Sequence, residues 1–296
     1  MLAANSVLYI PMSLRFASLN SGSNGNCYFV GDEHDAILVD AGISCREIET
    51  RLSRLCLDIR SLRAVIISHE HADHIRGLEV LSRKHNLPVF ITAATLKNSQ
   101  LRLDPSLVRN FLHDEPILFN NLAVVPFRKH HDAADPFSFT VEKKGEVVGV
   151  FTDIGHACEN VMHHFSRCHA VFLESNYDEQ MLEQGGYPYP LKKRIRSQVG
   201  HLSNDQALAL FLSHRTPKLE HLILSHLSMN NNKPEIVDQL FSEHAGNTRI
   251  TVASRFEESV LFKLHGAQSA VKTNSLDNKR KKKFTAARGP EQLRLF

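Results

Sequence analysis

Short apolar runs rich in Val, Ile, Leu and Phe recur along the chain, and most lead through a loop into a stretch with apolar residues at helical spacing. Runs this short, bounded by polar turns, read as strands, and the amphipathic stretches read as helices laid on a sheet. The pattern predicts strands at residues 14–19, 27–30, 36–39, 64–68, 88–91, 122–126, 137–142, 147–152, 170–174, 221–225 and 249–253. Two helix starts carry a signal of their own. Ser44 with Glu47 three residues on reads as a capping box, and Ser203 caps an apolar-periodic stretch running to Leu212. Strands alternating with helices predict a layered α/β domain, and no repeat of solenoid length interrupts them.

Length adds that the core can be large: 296 residues, 42% of them hydrophobic, suffice for one sizeable core or two packed layers sharing one. A charged fraction of 23% speaks against global disorder, and no apolar run is long enough to cross a bilayer, so no membrane association is expected. Residues 7–12 are apolar but too short for a secretory signal, and Met12 is an alternative start, so the first eleven residues carry no argument. Five cysteines without a C-x-x-C pair argue against a disulfide framework or a thiolate zinc site and point to the cytoplasm. The net charge of +3 is unevenly spread. From residue 272 onward eight Lys or Arg face only Asp277 and Glu291, which leaves residues 1–271 net acidic. A uniformly basic nucleic-acid surface is therefore not expected. The polar, basic stretch from about 271 to 290 reads as a disordered linker.

The candidate chemistry lies in Val65-Ile-Ile-Ser-His69-Glu-His71-Ala-Asp73-His74. A strand ends near Ser68, four potential ligands follow within six residues, and a helix is expected to begin near Ile75. Imidazole and carboxylate suit zinc or manganese, and a tight loop at a strand end can aim two donors at one ion and two at a neighbour. A metal-free, histidine-rich turn is the bland alternative, and a motif this long disfavours it. Glu70 is expected to point to solvent.

This segment resembles the signature of the metallo-β-lactamase superfamily, which implies a four-layer αββα sandwich over residues 12–270. Downstream, His131, Asp153 and His226 each follow an apolar run, so all would gather at one sheet edge. Singly, each reads as a satisfied core polar group. Together and in order, the resemblance implies one divalent ion held by His69, His71 and His131, a second by Asp73, His74 and His226, and Asp153 between them. It further implies that Asp40, at the end of Ile37-Leu-Val-Asp40, orients a ligand histidine from behind, although a cap before the next helix is the other reading. The segments Ser21-Gly-Ser-Asn-Gly-Asn26, His131-Asp-Ala-Ala, Glu174-Ser-Asn176 and Gly200-His-Leu-Ser-Asn204 narrow the resemblance to the YycJ/WalJ subfamily. That subfamily implies a 5′-to-3′ DNA exonuclease, with Glu174 supporting the ligand shell. Tyr177 departs from the pattern, which has histidine after Glu-Ser-Asn; a tyrosine is poorly suited to proton transfer near neutrality. The stretch from Asp153 to His226 is too short for the inserted domain of the β-CASP nucleases.

The implied reaction is in-line attack of water on a phosphodiester assisted by two divalent ions, Zn²⁺ or Mn²⁺, with Asp73, Asp153 and His201 as catalytic candidates. His201 either gives a proton to the leaving oxygen or merely neighbours a helix cap. The loop carrying Ser21, Asn24 and Asn26 either offers amides to a phosphate or only turns the chain. Lys192, Lys193, Arg194 and Arg196 either bind the DNA backbone or form a solvated helix face. Residues 291–296 contain Gln292, Leu293, Leu295 and Phe296 in a Q-L-x-L-F pattern that resembles the motif docking bacterial proteins on the β sliding clamp. Two alternatives stand beside a DNA exonuclease. One is a small-molecule metallo-hydrolase, a glyoxalase-type thioesterase or a lactonase; the other is a non-catalytic, clamp-tethered DNA-binding factor.

Overall fold

The computed structural model describes residues 13–265, and its strands form two seven-stranded sheets. The first holds β1 (Arg15–Asn20), β2 (Cys27–Gly31), β3 (Ala36–Val39), β4 (Leu62–Ile66), β5 (Val89–Phe90) and β6 (Val108–Arg109) in sequential order. The second holds β7 (Ile117–Phe119), β8 (Leu122–Arg128), β9 (Phe137–Lys143), β10 (Glu146–Phe151), β11 (Ala170–Glu174), β12 (His221–Ser225) and β13 (Arg249–Val252), again in order. A last short strand, β14 (Phe262–Lys263), returns to pair antiparallel with β1. In both sheets an antiparallel meander gives way to parallel strands, β3–β6 in one and β10–β13 in the other.

The two sheets face each other across a core that includes Phe16, Tyr28, Val39, Phe139, Val150 and Phe172. Burial on both faces explains why the strands read as continuous apolar runs. In β11, Phe172 enters the core between the sheets, while Val171 and Leu173 enter a separate core under the outer helices. Outside the first sheet lie α1 (Cys45–Arg54), α2 (Ala72–Ile75), α3 (Leu78–His85) and α4 (Ala93–Ser99). Ile48 and Leu52 of α1 and Leu78 and Leu81 of α3 share a cluster with Phe29 and Leu38 of the sheet. On the second sheet are α5 (Glu159–Phe165), α6 (Glu179–Gln184), α7 (Tyr189–Ile195), α8 (Asn204–His214) and α9 (Pro234–Ser242). Phe165, Phe211 and Phe241 anchor α5, α8 and α9 in its outer core. The architecture is the four-layer αββα sandwich.

Several boundaries differ from expectation. β4 stops at Ile66 rather than 68, because Ser68 N–H turns out of the ladder to donate to Asp40 Oδ1 (2.8 Å). The helix expected near Ile75 starts at Ala72, which puts Asp73 and His74 in its first turn. Ser44 does accept from the Glu47 N–H, but Glu47 turns its carboxylate to Arg51 (3.2 Å) instead of closing a capping box. The complete box is at Ser203, whose partner is Gln206. The short strands β6, β7 and β14 were not expected; at two or three residues they carry no periodicity to read. Among the described residues no helix is long and apolar enough to cross a membrane. The expected linker and the clamp-like residues Gln292, Leu293, Leu295 and Phe296 lie outside the described residues.

Candidate metal centre

Strand ends converge on one spot. Asp40 follows β3, Asp153 follows β10, Glu174 ends β11 and His226 follows β12. Asp40, Asp153 and His226 all have positive φ, at 62°, 54° and 56°. Non-glycine residues pay for that conformation, and here it bends the chain sharply off the strand so that the side chain turns back over the sheet edge. The 68–74 loop, after β4 of the same sheet as Asp40, contributes His69, His71, Asp73 and His74, and the segment after β8 of the second sheet contributes His131. The 68–74 loop is held close by glycine: a Cβ on Gly42 would lie 1.6 Å from the Asp73 carbonyl oxygen, and Ala41 N–H donates to His74 O (2.8 Å).

The donors form two groups of three. His69, His71 and His131 bring ring nitrogens together, and Asp73, His74 and His226 form the other group. Asp153 faces both, 3.1 Å from His74 Nε2 and 3.7 Å from His131 Nε2. Each inner histidine is gripped on its far nitrogen. Asp40 Oδ2 lies 2.7 Å from His74 Nδ1, Gly200 O 3.0 Å from His131 Nδ1, Glu174 Oε1 2.8 Å from His226 Nδ1, and Ser68 Oγ 2.9 Å from His69 Nδ1. Such partners fix the tautomer that leaves the other nitrogen facing the centre.

These residues suit a divalent cation. His131 Nε2, His226 Nε2 and Asp153 Oδ2 are buried without a hydrogen-bond partner, a costly state unless something positive meets them. Charge tells the same story. Burial opposes a proton on His74 and His226, yet the carboxylates of Asp153, Asp40 and Asp73 push His74 well up, and Asp153, Asp73 and Glu174 bring His226 up to about 10. The acidic cluster thus demands positive charge, which a metal would supply in place of those protons. His69 and His131 go the other way. Burial drives His69 well down and His131 down to about 4, so both rings stand ready as neutral donors.

Glu174 was expected only as support, and it occupies a hub. Its Oε1 lies 2.9 Å from His201 Nδ1 as well as beside His226, while Oε2 accepts from the Ile154 and Leu202 amides (2.8 and 3.1 Å). Burial works against its charge, but His201 and His226 outweigh it and hold the carboxyl down to about 2. His201 is part-exposed and lies beside both ligand groups, with ring centroids 5.2 Å from His131 and 5.4 Å from His226. Tyr177 is buried, and its carbonyl accepts from Asn204 N–H; burial pushes its phenol up, so it holds its proton as a structural residue.

Other expectations are redirected. Ser21 Oγ accepts from His226 N–H (2.8 Å), Asn26 Nδ2 donates to Asp73 Oδ2 (3.1 Å), and Asn24 Nδ2 donates to Arg255 O (2.8 Å). The amides of Ser21, Gly22, Gly25 and Asn26 are likewise spent on internal acceptors. This loop braces the ligands, and those four amides are not available to a phosphate. On α7, Arg194 pairs with Asp132, Arg196 with Glu179 and Glu183, and Lys192 Nζ donates to Glu183 O. Of the expected basic run, Lys193 alone has neither an ion pair nor a side-chain hydrogen bond among the described residues. Glu70 does not face solvent: its Oε1 accepts from Ala134 N–H (2.7 Å), tying the two ligand loops together. Lys129 was missed. Its buried ammonium donates to Thr152 O (2.6 Å) in the field of Asp153, Asp40 and Glu174, and its only signal was a place two residues before His131.

The beta-lactamase superfamily domain model matches residues 35–227, a span that contains all seven donors. The chain belongs to this superfamily. With the clustered donors, that membership makes it a metal-dependent hydrolase. It shares a family with the exodeoxyribonuclease YycJ of Bacillus anthracis, to which it is 32% identical over 254 residues, 83% of this chain and 94% of the relative. Against the exodeoxyribonuclease WalJ of Streptococcus pneumoniae serotype 2, identity is 31% over 233 residues, 76% of this chain and 86% of the relative. Among solved structures, the metallo-β-lactamase fold protein YhfI of Bacillus subtilis superposes with a TM-score of 0.65 at 14% identity, covering 85% of this chain and all of that one. Zn²⁺-bound PqqB of Methylobacterium extorquens gives 0.63 at 14% identity, over 83% and 99% of the two chains. These two share the fold.

Proposed function

We propose that the protein is a two-metal DNA phosphodiesterase acting as a 5′-to-3′ exonuclease in the cytoplasm, in replication or repair. The observation that carries this reading is the pair of three-donor groups facing one buried carboxylate, in a chain about a third identical to exodeoxyribonucleases. His69, His71 and His131 would hold one ion, Asp73, His74 and His226 the other, with Asp153 serving both. Zn²⁺ and Mn²⁺ both match this nitrogen and oxygen donor set. When bound, the ions supply Lewis acidity and a water acidified to near neutrality. The chain's own residues do the rest. Asp40 and Glu174 hold imidazoles in the donor tautomer, and Lys129 offsets the surrounding acid charge without reaching solvent. His201 is the proton donor: with Nδ1 held by Glu174, its Nε2 is left to protonate the leaving oxygen.

Residues 12–270 form the hydrolase domain in this reading, and 271–290 a tether. Gln292, Leu293, Leu295 and Phe296 would dock on the β sliding clamp, their amide setting register and their apolar side chains filling pockets. Support for the tether is the concentration of charge after residue 271, which attracts DNA and raises its local concentration.

The experiment that separates this reading from a thioesterase or lactonase compares turnover of DNA, a glutathione thioester and an acyl-homoserine lactone by metal-loaded protein. Cleavage of DNA alone is expected; turnover of the thioester or lactone with DNA left intact would replace the proposal.

A further inference from the structure

Beyond the metal centre, the same sheet edge continues into a cavity of about 480 Å³ at the carboxyl ends of β12 and β13. Its walls include Leu227, Met229, Val252, Arg255 and Phe256. Ser21 lines the cavity and its Oγ accepts from the amide of His226, while Leu227 of the cavity wall directly follows His226 in the chain. The cavity therefore adjoins the segment that carries His226.

The rim is unusual for a soluble surface. Phe256 and Met229 are 76% and 70% exposed. Their exposure is not a sign of a loose segment, because the chain beneath is anchored. Buried Arg51 donates to Phe256 O (2.9 Å), Asn24 Nδ2 donates to Arg255 O, and Ser21 N–H donates to Ser254 O (3.2 Å). An aromatic ring is thus presented to solvent on a fixed backbone. Arg255 and Lys233 add two cations to the wall, and neither is in an ion pair among the described residues. Gly22 leaves room for the first: a Cβ there would lie 2.8 Å from the Arg255 guanidinium. An apolar slot with an exposed aromatic wall and unpaired cations, beside a phosphodiester-cleaving centre, matches a nucleotide: π-face for the ring, positive charge for the backbone.

We infer that this cavity is a nucleobase subsite, which stacks the base of a nucleotide flanking the scissile phosphate on Phe256 and steers its backbone with Arg255 and Lys233. The inference rests on the nuclease reading and deepens it, because it makes the enzyme sense the base beside the cut without reading its sequence. Every base has a π-face, so any of the four would serve.

Two readouts test it. In EDTA, quenching of a 2-aminopurine placed at the terminal or next position of a single-stranded oligonucleotide reports stacking without turnover. With metal, KM is compared for DNA carrying a normal or an abasic nucleotide at each of the two positions flanking the scissile bond. The expected result is quenching by wild type, a KM raised about 5-fold or more by the abasic nucleotide at one position, and loss of both effects in Phe256→Ala with recovery in Phe256→Tyr. Normal and abasic DNA cleaved alike, with no quenching, would overturn the subsite and leave the nuclease standing. Failure to cleave either DNA would instead remove the nuclease reading, and the subsite with it.

Discussion

Four candidate ligand histidines, His69, His74, His131 and His226, each have one nitrogen held by a neighbouring oxygen, and that arrangement sets what single substitutions should do. Asp40→Asn keeps the shape of the contact to His74 Nδ1 but removes its charge, and a partner of this kind is worth about 10–100-fold in metal affinity or activity. Metal content after gel filtration would fall in this variant while the far-ultraviolet circular dichroism stays that of the wild type; full metal retention would show Asp40 to be only a cap. Away from the centre, Asp32 makes a buried pair with Lys143 and accepts from the His34 and Asp35 amides (2.7 and 2.8 Å). Burial raises the Asp32 pKa, but Lys143 and those amides outweigh it and the net shift is downward. A carboxyl depressed on folding stabilises above its unfolded pKa of about 4 and loses that contribution as pH falls through the folded value. Asp32→Asn should therefore cost on the order of 3 kcal/mol at pH 7, and denaturant titrations from pH 7 to 2 should show the gap to wild type closing below about pH 4. A gap that stays constant with pH would assign the cost to packing rather than charge.

At the scale of elements, the candidate metal donors could be picked out because each follows an apolar run, a pattern that survives without any knowledge of neighbours. The run 170–174 and the run 221–225 match β11 and β12 residue for residue. What could not be read was the far partner of each group. Nothing near Glu174 in the chain shows that its carboxylate holds both His201 and His226, 27 and 52 residues on. The basic run around α7 could be read either as a DNA contact or as a solvated helix face, because its acid partners, Asp132, Glu179 and Glu183, only meet it on folding. The glycine-rich loop left a phosphate cradle and a plain turn equally open, because two of its amide acceptors, Ser254 O and Asp73 O, are long-range. Helix α8 matters here since its cap follows His201 by two residues. Ser203→Ala removes the side-chain acceptor of the Gln206 amide and should cost about 1 kcal/mol, a drop of roughly 2–4 °C in melting temperature. Calorimetry checks this; an unchanged melting temperature would mean that the Tyr177–Ser203 bridge alone holds the helix start.

For the whole molecule, two parallel-strand edges in facing sheets meet over one hydrophilic centre, and the cavity beside His226 extends that centre along one of them. DNA affinity should then come chiefly from the centre, the cavity and the tail rather than from α7. Truncation after residue 290 should abolish capture by immobilised β sliding clamp while cleavage of a short oligonucleotide persists. Equal capture of the truncated and full chains would end the clamp proposal and leave the enzyme reading untouched.

An exonuclease of this kind cuts DNA from one end, and hydrolysis of 5′-labelled and 3′-labelled DNA with added Mn²⁺ or Zn²⁺ is the measurement to make. Immediate release of the 5′ label as mononucleotide and a 3′-labelled ladder that shortens stepwise are expected, with neither in Asp73→Ala. Intact DNA with protein shown to hold two metal ions per chain would contradict the exonuclease reading.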